Sequence, residues 1–205
     1  MKLSKITLIR DDDQRIFIPN SAAYHLKQNL ISERLIQEGF HEFDLDGSYD
    51  RVVRQTIDFG RIIGNTSCIE TDPITPDTVT LFARRGTRIY PSRVSLETNW
   101  PPSTKLTMIV QRMGENAFNL LSAYVGDAAP PEPFSFKVIR QQGTTVEACL
   151  TFWCRHAMIY DKFECIDVPF EKTWNEVVAE AREEVRLRDD EKYQERVARR
   201  AEGGA

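Results

Sequence analysis

Residues 105–125 read KLTMIVQRM-GEN-AFNLLSAYV, two runs rich in β-branched and aromatic residues around Gly114-Glu-Asn116. Such runs flanking a short polar turn spell a β-hairpin, here residues 105–113 against 117–125. Ser122 and Tyr124 stand two apart on the return strand, so a regular strand points both to one face.

Upstream of the hairpin, residues 79–84 and 88–94 also read as strands. Residues 68–80 contain Pro73 and Pro76 and read as a loop. Earlier still, residues 2–9 alternate as a first strand, and Asp11–Asp13 make a turn before a short extended piece at 15–18. Pro19, Asn20 and Ser21 predict a helix start. The helix should run to about Gln37, with Leu26, Leu30, Ile31, Leu35 and Ile36 on one side and Gly39 as its stop. A second helix is expected after Ser48, with Val52, Val53 and Ile57 inward and Gly60 ending it.

Downstream, Pro130, Pro131 and Pro133 should close the sheet region. Residues 145–160 carry Val146, Leu150, Trp153 and Ala157 at helical spacing, with a second half able to bend into a strand. Thr173-Trp-Asn-Glu176 has the form of a capping box and predicts a helix to about Arg200. Its apolar side ends near Leu187. Charges dominate the distal part, and Glu184 with Arg188 and Glu195 with Arg199 sit four apart, suited to pairing on an exposed face. The expected fold class is α+β: N-terminal helices, an antiparallel sheet, then helices ending in a long charged one. Residues 1–170 are expected to form one globular domain and residues 171–205 a charged helical extension.

Composition narrows the function. The 205 residues are 41% hydrophobic and 28% charged, the balance of a globular domain. No apolar run approaches the ~20 residues of a membrane helix. The N-terminus shows no secretory signal, since acidic residues follow Ile6–Ile9 at once. Cys68, Cys149, Cys154 and Cys165 form no CxxC pair and are expected as free thiols, which suits the cytoplasm. Net charge is −4, yet residues 84–112 hold six bases and one acid, a net of +5 that leaves −9 elsewhere. That asymmetry hints at an anionic partner.

Familiar catalytic motifs are absent: no GxxxxGK[ST], GxSxG, HExxH or GxGxxG. Cys154, His156 and Cys165 match no common zinc spacing. Asp44 with Asp46, like Asp11–Asp13, sits beside an apparent turn, where Asp is favoured for local hydrogen bonds. Neither metal nor cofactor is expected. The remaining polar set is His25, the arginines Arg85, Arg88, Arg93 and Arg112, then Ser122, Tyr124, Glu132 and His156. These residue types suit RNA cleavage through its own 2′-hydroxyl: histidine moves protons near neutral pH and arginine grips phosphate at two points. The basic segment is expected to feed the same sheet as the Ser122–Tyr124 strand.

The stretch LLSAYVGDAAPPEPF (residues 120–134), followed by FWCRHAMI (residues 152–159), resembles a group of small prokaryotic proteins of unassigned function with a TAYxG…EPW…FWxxHAL pattern. Ser122 stands for their threonine and Phe134 for their tryptophan. Their layout is similar to metal-independent endoribonuclease toxins of the barnase, colicin and RelE kind. The resemblance implies a toxin that cleaves RNA, paired with an antitoxin. His25 or His156 would be acid and base, Arg85, Arg88, Arg93 and Arg112 would hold phosphate, and Ser122 and Tyr124 would position the scissile site. The alternative is a non-catalytic binding or adaptor module working through its C-terminal helix. A small-molecule enzyme is a third possibility.

Overall fold

The computed structural model describes residues 6–10, 13–20, 22–23, 26, 31–44, 52–71, 78–85, 88–97 and 99–202. The fold is α+β. In chain order its elements are β1 (Ile6–Ile9), β2 (Arg15–Ile18), α1 (Glu33–Glu42), β3 (Val52–Asp58), β4 (Gly64–Asn65), β5 (Cys68–Glu70), β6 (Thr78–Arg85) and β7 (Arg88–Ser95). There follow β8 (Pro102–Ser103), β9 (Lys105–Arg112), β10 (Ala117–Val125), α2 (Phe136–Gln141), α3 (Val146–Arg155), β11 (His156–Ile159), β12 (Cys165–Pro169) and α4 (Trp174–Glu202). The chain divides into two compact units, residues 1–69 with 98–129, and residues 70–97 with 130–205.

The expected hairpin of residues 105–125 forms the centre of the first unit. Its sheet runs β1-β2-β10-β9-β3. β9 and β10 are antiparallel, and β2 joins β10 in parallel, Phe118 beside Ile16. Alternation puts Leu106, Met108 and Val110 of β9 into the core, with Phe118 and Leu120 of β10. α1 covers this face with Leu35, Ile36 and Phe40, and the Phe40 and Phe118 rings meet edge-on at 6.2 Å.

Three expectations for this unit need correction. Val52, Val53 and Ile57 lie on β3, which pairs with β9 from Val52↔Gln111 to Asp58↔Lys105, and not on a helix. Three apolar residues over so short a window fit either period, and the β-branched content favours the strand. Gly39 does not stop a helix; it is buried inside α1. A Cβ there would lie 2.8 Å from Met108 Sδ and 3.0 Å from a Leu106 methyl, so glycine lets α1 press onto β9. The helical run expected from residue 20 to about 37 is broken instead at Ile31 and Ser32. Ser32 caps α1, its Oγ accepting from Leu35 N at 3.2 Å.

In the second unit the sheet order is β12-β6-β7-β11-β5. β6 and β7, the two strands expected at 79–84 and 88–94, pair as a hairpin from Thr78↔Ser95 to Arg85↔Arg88. The prolines at 130–133 do not end sheet structure, because β11 and β12 follow them. β11 runs parallel to β7, reached through α3. Thr145 caps α3, accepting from Ala148 N at 3.1 Å, and the helix turns into β11 at His156. Residues 68–80 hold β5 and the start of β6 as well as loop. The capping box of α4 is present: Thr173 N and Oγ1 both donate to Glu176 Oε2 at 2.7 Å. Val178 and Ala181 pack on Leu150 of α3, and Arg182 grips Glu147 through two bonds of 3.1 and 2.7 Å. From Arg186 to Lys192 every residue of α4 is exposed. Glu184 and Arg188 pair as expected, at 2.6 Å, while the side chain of Arg199 lies outside the described residues.

Candidate functional site

On β10 the register shifts between Leu120 and Ser122, a bulge that leaves Leu121 exposed. Core-facing parity changes there, from Phe118 and Leu120 to Ala123 and Val125. Ser122 and Tyr124 therefore share the opposite face, as the two-residue spacing requires. The Tyr124 hydroxyl accepts from Ala129 N at 2.9 Å and donates to Ala129 O at 3.4 Å, pinning the segment that leaves β10. Beside it, buried Thr107 donates to Gly126 O at 2.8 Å. Gly126 has φ 116°, and a Cβ there would fall 2.3 Å from Thr66 Oγ1, so only glycine fits. Arg112 lies over the Phe118 ring, 5.1 Å from its centroid. His25 is outside the described residues.

The other candidates belong to the second unit. β6 and β7 lie in its sheet, so the basic segment does not feed the sheet of Ser122 and Tyr124. Each of the two hairpins lies in a different sheet. Arg93 is only 3% exposed; it donates to Cys154 O at 2.8 Å and to Thr78 Oγ1 at 3.4 Å. Arg88 is exposed and reaches the Tyr90 hydroxyl at 3.5 Å, which also accepts from Ser135 Oγ at 3.2 Å. Arg85 faces Arg88 across the hairpin, with its side chain outside the described residues. Buried Glu132 accepts from Ser92 Oγ at 3.4 Å. Trp153 Nε1 donates to the carbonyls of Pro130 and Pro131, both at 3.2 Å. The His156 ring stacks on Phe152 at 3.9 Å, and its Nδ1 lies 3.0 Å from Phe152 O. Glu132 and Trp153 thus fasten the proline-rich segment onto β7 and α3.

The same unit holds a groove that the residue pattern did not reveal. α2, the start of α3 and the exposed stretch of α4 enclose about 370 Å³. Phe136, Ile139, Val146 and Val185 supply an apolar floor. Arg188 covers part of it, its guanidinium 4.1 Å from the Phe136 ring centroid while bonded to Glu184. On the rim Lys192 pairs with Asp189 at 3.3 Å. Glu191 and Glu195 line the groove and make no hydrogen bond or ion pair among the described residues. The groove offers a surface for apolar side chains and two carboxylates for cations, with no nucleophile or base at its floor. In sequence, the signal was the short apolar-polar run FKVIRQ between Ser135 and Gly143.

A hollow in the first unit, about 480 Å³, lies beside Ser32, Arg34 and Arg61. Glu38 bonds both arginines there, and these bonds hold its carboxyl below the usual range. Among the described residues no three histidine, cysteine or acidic side chains gather as for a metal ion, and the four cysteines are free. No described helix is long and apolar enough to cross a membrane.

No family model matches the chain, and no curated protein does. Among solved structures it is similar to a conserved hypothetical protein from Toxoplasma gondii ME49. That match has 13% identity and a TM-score of 0.43, over 66% of this chain and 89% of the other.

Proposed function

We propose that this chain is a non-catalytic binding module, and that its working surface is the groove along α4. The observation that carries this is the pairing of an apolar floor with two exposed carboxylates on its rim, Glu191 and Glu195. An amphipathic helix with a basic flank meets both demands: its apolar stripe fills the floor and its cations reach the rim. Three of the side chains suited to RNA cleavage support the same view, because they are engaged within the fold. Arg93 is buried on a backbone carbonyl, Tyr124 is tied to Ala129, and His156 is stacked on Phe152.

The test has two arms. Total RNA incubated with the protein in EDTA should stay intact; mapped cleavage ends would instead establish the endoribonuclease expected from the resemblance. In the second arm, a synthetic helix of leucine and lysine, apolar at i, i+3, i+4 and i+7, is titrated against the protein. It should bind, weaken as salt rises, and lose about tenfold or more in affinity on Val185→Asp, which puts a charge in the floor. Equal binding by wild type and Val185→Asp would exclude the groove.

A further inference from the structure

β3 is the last strand of its sheet and pairs with β9 on one side only. Its seven residues keep an unbroken register, with no bulge, proline or lysine, the devices by which exposed sheet edges are commonly blunted. Just past the strand, Phe59 N donates to Thr104 O at 3.0 Å. By alternation the backbone groups of Val53, Gln55 and Ile57 face β9, and those of Arg54, Thr56 and Asp58 face outward. Among the described residues nothing bonds these outward amides and carbonyls. We infer that β3 pairs antiparallel with β3 of a second copy of the chain, joining two five-stranded sheets across a two-fold axis at Thr56. This does not rest on the groove along α4.

Arg54 points to the second copy. Its Nε and Nη2 are buried without a hydrogen-bond partner. The same two nitrogens elsewhere in the chain grip one carboxylate, Arg182 on Glu147 and Arg186 on Glu183. They form the fork that a carboxylate fits. Asp58 is exposed and lies four residues along β3, on the same face. A two-fold interface returns every contact it makes. With the axis at Thr56, Arg54 stands opposite Asp58 of the second copy, and Asp58 opposite its Arg54. The half-buried Arg54 side chain turns outward to meet it. Asp58 already accepts from Gly60 N at 2.9 Å and from the Thr104 side chain, with Lys105 beside it, and a carboxylate has room for further donors.

The rest of the strand agrees. Thr56 meets its own equivalent, a pair suited to adjoining strands. On the core face Val53 stands opposite Phe59 of the second copy, and both are partly buried against the core of their own unit. The pairs 54–58, 56–56 and 58–54 join residues whose backbone groups point outward, so each pair exchanges two hydrogen bonds. Moving the axis to Gln55 would keep such bonds but set Arg54 against Thr56 and Asp58 against Val52. The charges therefore choose the register. The seam is short, so the dimer should be weak and reversible, of the small transient class.

The test uses the full chain. Wild type should pass from the 23.6 kDa monomer toward twice that mass between about 1 and 300 μM, followed by light scattering. Over the same range the amides of Arg54, Thr56 and Asp58 should slow in hydrogen exchange by about tenfold or more, while those of Val53, Gln55 and Ile57, already bonded to β9, should not change with concentration. Arg54→Glu and Asp58→Lys should each self-associate about tenfold more weakly, because like charges then face each other. Mixed one to one they should associate again, since the new glutamate meets the new lysine and Asp58 of one copy meets Arg54 of the other. Thermal unfolding of each variant confirms that it folds. A wild type that stays monomeric, a dimer whose amides at 54, 56 and 58 exchange as in the monomer, or a mixture no tighter than its components overturns the inference.

Discussion

Arg93 is a charged side chain with 3% exposure, while Arg88, five residues away on the same strand, is open to solvent. In sequence the two are equivalent members of a basic run; burial separates them. Arg93→Ala removes the donor to Cys154 O, leaving a carbonyl and a cavity behind, and should cost about 1–3 kcal/mol in urea unfolding. Arg88→Ala should stay within about 0.5 kcal/mol, the range of ordinary surface changes. Equal effects would mean that Arg93 is not the support its geometry indicates. The shared face of Ser122 and Tyr124 was readable from their spacing. The bond from Tyr124 to Ala129 was not, because it depends on how the chain turns after Gly126. Glu132 and Trp153 were prominent in the sequence, yet what they hold in place, the proline-rich segment, emerges only when β7 and α3 are packed.

Elements with strong local signals were legible. The hairpin of β9 and β10 and the start of α4 carry their own turn or cap chemistry, and β6 and β7 carry the residue content of strands. The failures came where tertiary contacts decide. Val52 to Asp58 becomes a strand because β9 offers it a seven-residue partner. Gly39 stays within α1 because Met108 needs the room. The capping box of α4 also sets a pH response. Hydrogen bonds from the Thr173 hydroxyl and amide hold the Glu176 carboxyl below its ordinary 4.5. A lowered carboxylate stabilises the fold fully above its unfolded value, and the contribution is lost as pH falls through the folded one. Glu176→Gln should therefore lower the thermal midpoint at pH 7. The difference from wild type should close as pH falls through the folded-state value of Glu176, below which both side chains are neutral. A gap that persisted unchanged at low pH would assign the loss to packing instead of charge.

At the scale of the molecule, no compositional break announces the two units, although Pro130 opens the last segment and Pro73 lies just beyond the first crossing. The chain passes between units at 69/70, 97/98 and 129/130, so each unit is made from two separate stretches. Strand order has the same character: β10 lies beside β2, about a hundred residues earlier in the chain, and pairing of such range is slow to find. The interleaving has a use. Cut at 97/98, the chain yields two fragments, each with part of both units. Fragment 1–97 would carry β1, β2 and β3 of one sheet with β5, β6 and β7 of the other; fragment 98–205 would carry β9 and β10 with β11 and β12. Neither half owns a finished sheet, so each alone should lack cooperative unfolding, and the mixture should regain it. The chain would then be a split reporter by construction, silent as halves and restored by proximity. A half that folded unaided, or a mixture that stayed inert, would show that one stretch of each unit is dispensable.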